Sequence, residues 1–136
     1  MAKIHEISSE ILSLSVIEKI LQQDTEIILS KSVHDKINHC RAFLDGIVEK
    51  NDALHYGINT GFGSLCDVAI SKDEIADLQL NLIMSHACGV GEEVPQDIIR
   101  IMLLLKIQSL SYGFSGISID VINLLLAFYN KKIYPV

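Results

Sequence analysis

The segment that most restricts the fold of this chain is Ile101 to Leu105, apolar at five consecutive positions. In a helix, five consecutive residues reach every face of the turn, so no side of this turn is polar. Such a helix needs neighbours on all sides. A second greasy run, "VINLLLAFYN", follows after a stretch holding Gly113 and Gly116. Together they predict helix-on-helix packing, and an exposed apolar patch along Ile101–Leu105 and Val121–Phe128 wherever the chain does not itself supply the cover.

The rest of the chain also reads as mainly helical. Ser15 and Glu18 have the spacing of a capping box, which opens a short helix to about Gln23. "TEIIL" from Thr25 fits a short strand or an extended link. Ser30 or Ser32 can cap the next helix, where Val33, Ile37, Cys40, Leu44 and Ile47 recur at steps of 4, 3, 4 and 3 up to about Asn51. Ser71 and Glu74 form a second capping box, followed by a stripe of Ile75, Leu78, Leu82 and Ile83. Gly89 or Gly91 is placed to end that helix. Pro95 suits the first turn of the next, which runs to about Ser111. A last helix spans Ser118 to Asn130, and Pro135 discourages continuation. The expectation is about five helices plus one irregular glycine-rich loop, with Gly113–Gly116 as the joint between residues 1–112 and 113–136.

Charge excludes some functions. The 136 residues carry a net charge of −6 and no basic cluster larger than Lys131-Lys132, which argues against a nucleic-acid surface. "MAKIHEISSE" has no apolar core or cleavage site of a secretory signal. The stretch Ile107 to Ile119, free of Lys, Arg, Asp and Glu, is too short and polar to cross a bilayer. Three cysteines, Cys40, Cys66 and Cys88, show no paired spacing and read as reduced thiols of a cytoplasmic protein.

The loop is "HYGINTGFGSLC", with Gly57, Gly61 and Gly63 inside seven positions. No Lys follows Gly63, so it is not a phosphate loop, and the glycine spacing is not the dinucleotide fingerprint. The glycines permit positive φ and close backbone approach, and Asn59 tolerates unusual backbone angles. Tyr56 then sits at the edge of a tight loop, either as a core residue of a structural turn or as a side chain held in a site. His86, near a helix C-terminus in "SHACGVG", is explained by the helix dipole or by a ligand-binding or acid–base role. Cys66, His86 and Cys88 match no zinc spacing, so no metal is expected. His5, His34 and His39 read as solvated; Cys40 and Cys88 read as small hydrophobes at packing positions.

"YGINTGFGSL" closely resembles the signature of the aromatic amino acid ammonia-lyases, and the resemblance continues through "LQLNLIMSHACGVGEEVP" and "LLLKIQSLSYGFSG". It covers the Ser30 region onward and is weakest over the first 25 residues. It implies the N-terminal domain and first bundle helix of that fold. Ser85-His86 resembles the pair found in the histidine-specific members, which form trans-urocanate and ammonia from L-histidine. There Tyr56 matches the catalytic base and His86 the contact to the substrate imidazole. A phenol ordinarily titrates near 10, about three units above neutral, so a base of this kind needs donors or cations around it. The family's cofactor, methylidene-imidazolone, forms from an internal Ala-Ser-Gly, a tripeptide this sequence does not contain. The resemblance therefore implies the N-terminal portion of a cytoplasmic homotetrameric enzyme, inactive by itself. A lyase for another aromatic amino acid and a non-catalytic helical binding module are the alternatives.

Overall fold

The structure, a computed structural model, describes residues 3–50 and 53–135. Its elements are β1 (Ile4–Ile7), α1 (Leu14–Gln22), β2 (Glu26–Leu29), α2 (Lys31–Lys50), α3 (Ile75–His86), α4 (Gln96–Leu110) and α5 (Ile119–Asn130), with single 3-10 turns at Gly63–Leu65 and Lys72–Glu74. The fold is mainly helical, with five helices and a two-stranded sheet. The chain forms two compact units, residues 1–43 with 93–136, and residues 44–92. The expected end of α2 near Asn51 and the chain end at Val136 lie outside the described residues.

In the first unit, β1 and β2 pair in parallel, Ile4 opposite Glu26 and Ile7 opposite Leu29. A parallel pair needs a crossover, and α1 supplies it. Of the two readings of "TEIIL", strand or extended link, the structure has the strand, over Glu26–Leu29. Its partner β1 escapes a sequence reading because "IHEI" is only four residues long and does not alternate, Ile4 and Ile7 falling on opposite faces. Only Ile7 of β1 is buried. The outer edge of β2 is closed by a side chain. Asn130 at the end of α5 accepts from the Ile27 amide at 2.9 Å and donates to the Ile27 carbonyl at 2.8 Å. A side-chain amide thus stands in for the missing third strand.

The core of this unit gathers Ile7, Ile20, Ile27, Val33 and Ile37 with Leu103, Leu104, Ile107, Ile122 and Leu126. Burying each such side chain contributes about 1.5–3 kcal/mol. α4 is therefore not apolar without purpose: Ile99, Leu103, Leu104, Ile107 and Leu110 face this core. Its outward stripe is Ile98, Met102 and Leu105, joined on α5 by Val121 and Leu124, all exposed. The expected patch is present but narrower than five consecutive apolar residues suggest, because alternate faces are satisfied within the unit.

The first capping box is displaced. Ser13, not Ser15, precedes α1, and Ser13 Oγ meets Ser15 Oγ at 3.0 Å without bonding a helix amide. Glu18 instead accepts from Gln22 at 2.9 Å. Ser30 does cap α2: its Oγ accepts from the Val33 amide at 3.2 Å. α4 starts directly after Pro95, whose carbonyl accepts from Ile98 and Ile99.

One ionic group ties the α1–β2 turn to α4 and to the end of α5. Asp24, at φ +48°, accepts from Arg100 at 3.1 Å and from Lys132 at 2.5 Å. The Lys132 hydrogen bond is the main reason the Asp24 carboxyl lies below the ordinary carboxylate range. The Arg100 guanidinium also covers the Tyr129 ring, 5.4 Å from its centroid. Burial pushes the Tyr129 phenol up. His5 lies half-buried on β1 rather than solvated, and burial lowers its pKa.

Candidate functional site: a pinned loop and a helix end

The second unit holds the glycine-rich loop and α3. Two short polar side chains organise the loop. Asn59, 3% exposed, accepts from the His55 amide at 2.7 Å through Oδ1 and donates to the Ala53 carbonyl at 2.8 Å. Thr60, 1% exposed, accepts from the Gly57 amide at 3.3 Å and donates to the Gly61 carbonyl at 3.0 Å. The segment "DVAI" then returns antiparallel: the Ile70 amide donates to the Asn59 carbonyl at 2.9 Å and the Gly61 amide to the Val68 carbonyl at 3.1 Å, around a Thr60–Ala69 bridge.

The glycines divide the work between them. Gly57 and Gly63 take φ of +75° and +59°, angles that cost L side chains strain. Gly61 serves close approach instead: a Cβ there would meet Leu65 Cβ at 2.7 Å and Leu65 O at 2.8 Å. Asn59 has no positive φ; its role is to hydrogen-bond the backbone of its own loop. An Asn-Thr pair inside a glycine run is the signal that would have revealed this.

The pinned loop carries Tyr56 at its rim. Tyr56 is 65% exposed, and its ring meets Phe62 edge-on with centroids 6.1 Å apart. It is therefore not the core residue of a structural turn. The Phe62 ring steers it, and most of the residue is open to solvent.

α3 follows a 3-10 turn opened at Ser71, as the second capping box predicts. The reciprocal bond is nevertheless different: Ser71 Oγ donates to Glu74 Oε2 at 2.6 Å, side chain to side chain. The helix ends at His86, before either glycine. Ala87, at φ −75° and ψ 73°, makes an inverse γ-turn in which the Cys88 amide donates to the His86 carbonyl at 2.8 Å. His86 is exposed on this last turn. Its Nδ1 lies 2.9 Å from Ser85 Oγ and 2.9 Å from the Leu82 carbonyl, and Ser85 Oγ donates to that same carbonyl at 2.9 Å.

No residue of α3 is buried. Leu80, Ile83 and Met84 are at least half exposed. Cys88, expected to pack as a small hydrophobe, is exposed, whereas Cys40 is half-buried. Among the described residues, no three His, Cys, Asp or Glu side chains gather as a metal site requires. No described helix is long and apolar enough to cross a membrane. Tyr56 and His86 both belong to this unit, each fixed by partners of its own.

The chain therefore presents a tyrosine on a pinned glycine loop and, further along the same unit, a helix ending in Ser-His. The sequence profile of the aromatic amino acid lyases matches residues 12–136, and the chain belongs to that family. It is 42% identical over 124 residues to a histidine ammonia-lyase of Legionella pneumophila (strain Lens), covering 91% of this chain and 24% of that protein. It is 43% identical over 125 residues to the histidine ammonia-lyase of Bacillus subtilis (strain 168), covering 92% and 24%. Among solved structures, ergothionase from Treponema denticola superposes with a TM-score of 0.89 at 25% identity, over 98% of this chain and 27% of that one. Histidine ammonia-lyase from Trypanosoma cruzi gives 0.78 at 31% identity, over 94% and 24%. The phenylalanine aminomutase of Pantoea agglomerans gives 0.85 at 28% identity, over 98% and 26%. The chain thus spans about a quarter of the length of the relatives it matches, and its fold corresponds to the N-terminal part of theirs.

Proposed function

We propose that this chain is the N-terminal part of a histidine ammonia-lyase, which converts L-histidine to trans-urocanate and ammonia without oxidation. The carrying observation is Tyr56: an exposed phenol at the rim of a loop whose own backbone is pinned by buried Asn59 and Thr60. A general base needs this combination of an accessible proton acceptor and a support that does not move. In the reaction, the β-carbon proton passes to the Tyr56 oxygen, its electron pair becomes the new carbon–carbon double bond, and the carbon–nitrogen bond breaks to release ammonia. His86 contacts and orients the imidazole of the substrate.

The family's electrophile does not fit the residues present. Methylidene-imidazolone requires Ala-Ser-Gly, and the 136 residues contain none, so this chain supplies the base and the ring contact only. In this reading residues 1–112 carry the site loop and residues 113–136 open a helical bundle. The exposed apolar residues of α3 are covered within a cytoplasmic homotetramer, and the chain alone forms no urocanate.

The test is Tyr56→Phe in the complete lyase, followed by urocanate absorbance. Losing a general base lowers kcat by about 10²–10⁴ with KM little changed. A large rise in KM with kcat intact would assign Tyr56 to binding instead. The aminomutase relatives keep a second reading open, action on another aromatic amino acid. Turnover of phenylalanine or tyrosine in preference to histidine would select it.

A further inference from the structure

The three contacts at the end of α3 fix where the hydrogens lie. The Leu82 carbonyl oxygen can only accept, and both Ser85 Oγ and His86 Nδ1 lie 2.9 Å from it. Ser85 Oγ and His86 Nδ1 are also 2.9 Å apart. One arrangement satisfies all three: Ser85 O–H donates to Leu82 O, and Nδ1–H is shared between Leu82 O and Ser85 Oγ. The opposite tautomer fails. With Nδ1 bare, the single Ser85 hydroxyl hydrogen serves either Nδ1 or the Leu82 oxygen. Either way Nδ1 and the Leu82 oxygen face each other lone pair to lone pair at 2.9 Å with no hydrogen between.

We infer that Ser85 is a positioning residue that, together with the Leu82 carbonyl, holds neutral His86 in the Nδ1–H form and leaves Nε2 as a bare acceptor for the substrate ring. This rests on the reading of His86 as the ring contact. It deepens that reading by naming the substrate feature selected: a ring that carries a hydrogen donor. An imidazole N–H meets that requirement and a phenyl ring does not. A site built to bond a substrate N–H discriminates strongly against an analogue without one, because its own acceptor is then left unpaired.

The test has two readouts. Nitrogen-15 spectra of the 136-residue chain report the tautomer directly, without catalysis. Neutral His86 is expected to carry its proton on Nδ1. Ser85→Ala, which sits on an exposed helix face that tolerates alanine, is expected to raise the Nε2–H share about fivefold, the equivalent of one ordinary hydrogen bond. In the complete lyase the same substitution raises KM for histidine only in proportion to the Nδ1–H share that is lost, a smaller factor, and changes kcat less. Ser85→Thr, which keeps a hydroxyl, restores both. A wild-type His86 found mainly as Nε2–H would overturn the inference, as would a Ser85→Ala variant with unchanged tautomer ratio and KM. If the tautomer is as stated but the complete lyase does not consume histidine, the positioning stands and the histidine reading falls.

Discussion

The two units of this chain solve the folding problem differently. In the first, apolar side chains from both strands and from α1, α2, α4 and α5 close on one another, and even the free edge of β2 is sealed by Asn130. In the second, the polar backbone is satisfied with care while the apolar side chains are left outside. Asn59, Thr60 and the 59–61 and 68–70 ladder hold the loop by hydrogen bonds, yet α3 buries none of its residues. The contrast separates two requirements that usually coincide. Hydrogen bonds fix where Tyr56 and His86 stand, while the apolar side chains of α3 remain exposed.

Several substitutions would break or sharpen that contrast. The largest expected effect lies in the first unit. Leu104 is fully buried, so Leu104→Ala should lower unfolding free energy by about 2–5 kcal/mol through transfer and cavity costs together. Denaturant midpoints check this, and Met84→Ala on exposed α3 is the matching control, expected within about 0.5 kcal/mol in the isolated chain. An effect of Met84→Ala comparable to that of Leu104→Ala would erase the distinction between the units.

Within the second unit the backbone should matter more than the apolar side chains. Gly61→Ala forces a Cβ to within 2.8 Å of the Leu65 carbonyl oxygen, and the expected cost is about 1–3 kcal/mol. Asn59→Ala leaves the His55 amide and the Ala53 carbonyl without their partner, for about 1–3 kcal/mol. Both should alter the shifts of Tyr56 and Phe62 in NMR spectra while leaving those of α4 in place. Unchanged loop spectra in Asn59→Ala would show that the loop does not depend on that side chain.

The smallest effect concerns pH. The folded-state pKa of Asp24 is depressed, chiefly by the Lys132 hydrogen bond. Its stabilisation is therefore fully present above the ordinary carboxylate pKa and is lost as pH falls through the lower folded value. Asp24→Asn should flatten the acid limb of the stability curve slightly and leave stability near neutral pH only a little lower, because the ion pairs are surface-exposed. A steeper acid limb in the variant would contradict that sign.

Much of this was legible in the sequence, and the exceptions share physical causes. Helix α2 follows from periodicity, and α4 and α5 from their apolar runs, with Ser30, Pro95 and Ser118 at the three starts. β1 was not legible, since a four-residue strand in which only Ile7 is buried has too short a pattern to register. The cap at Ser13 and the early end of α3 at His86 were misplaced by two or three residues. Several serines compete for the first, and a γ-turn at Ala87 replaces the glycine cap at the second. At the site, Tyr56 and His86 stood out by their setting in specific motifs. The pinning by Asn59 and Thr60 and the Ser85–His86–Leu82 triangle depend on hydrogen-bond geometry that residue types alone do not determine.

The central claim is that one unit closes on itself while the other is held by hydrogen bonds and leaves its apolar side chains exposed. Amide hydrogen exchange on the 136-residue chain tests this most directly. The account predicts that amides around Leu103–Ile107 and Ile122–Leu126 exchange only through global unfolding, and that α3 amides from Ile75 to His86 exchange orders of magnitude faster through local opening. Equal protection of α3 and α4 would contradict it.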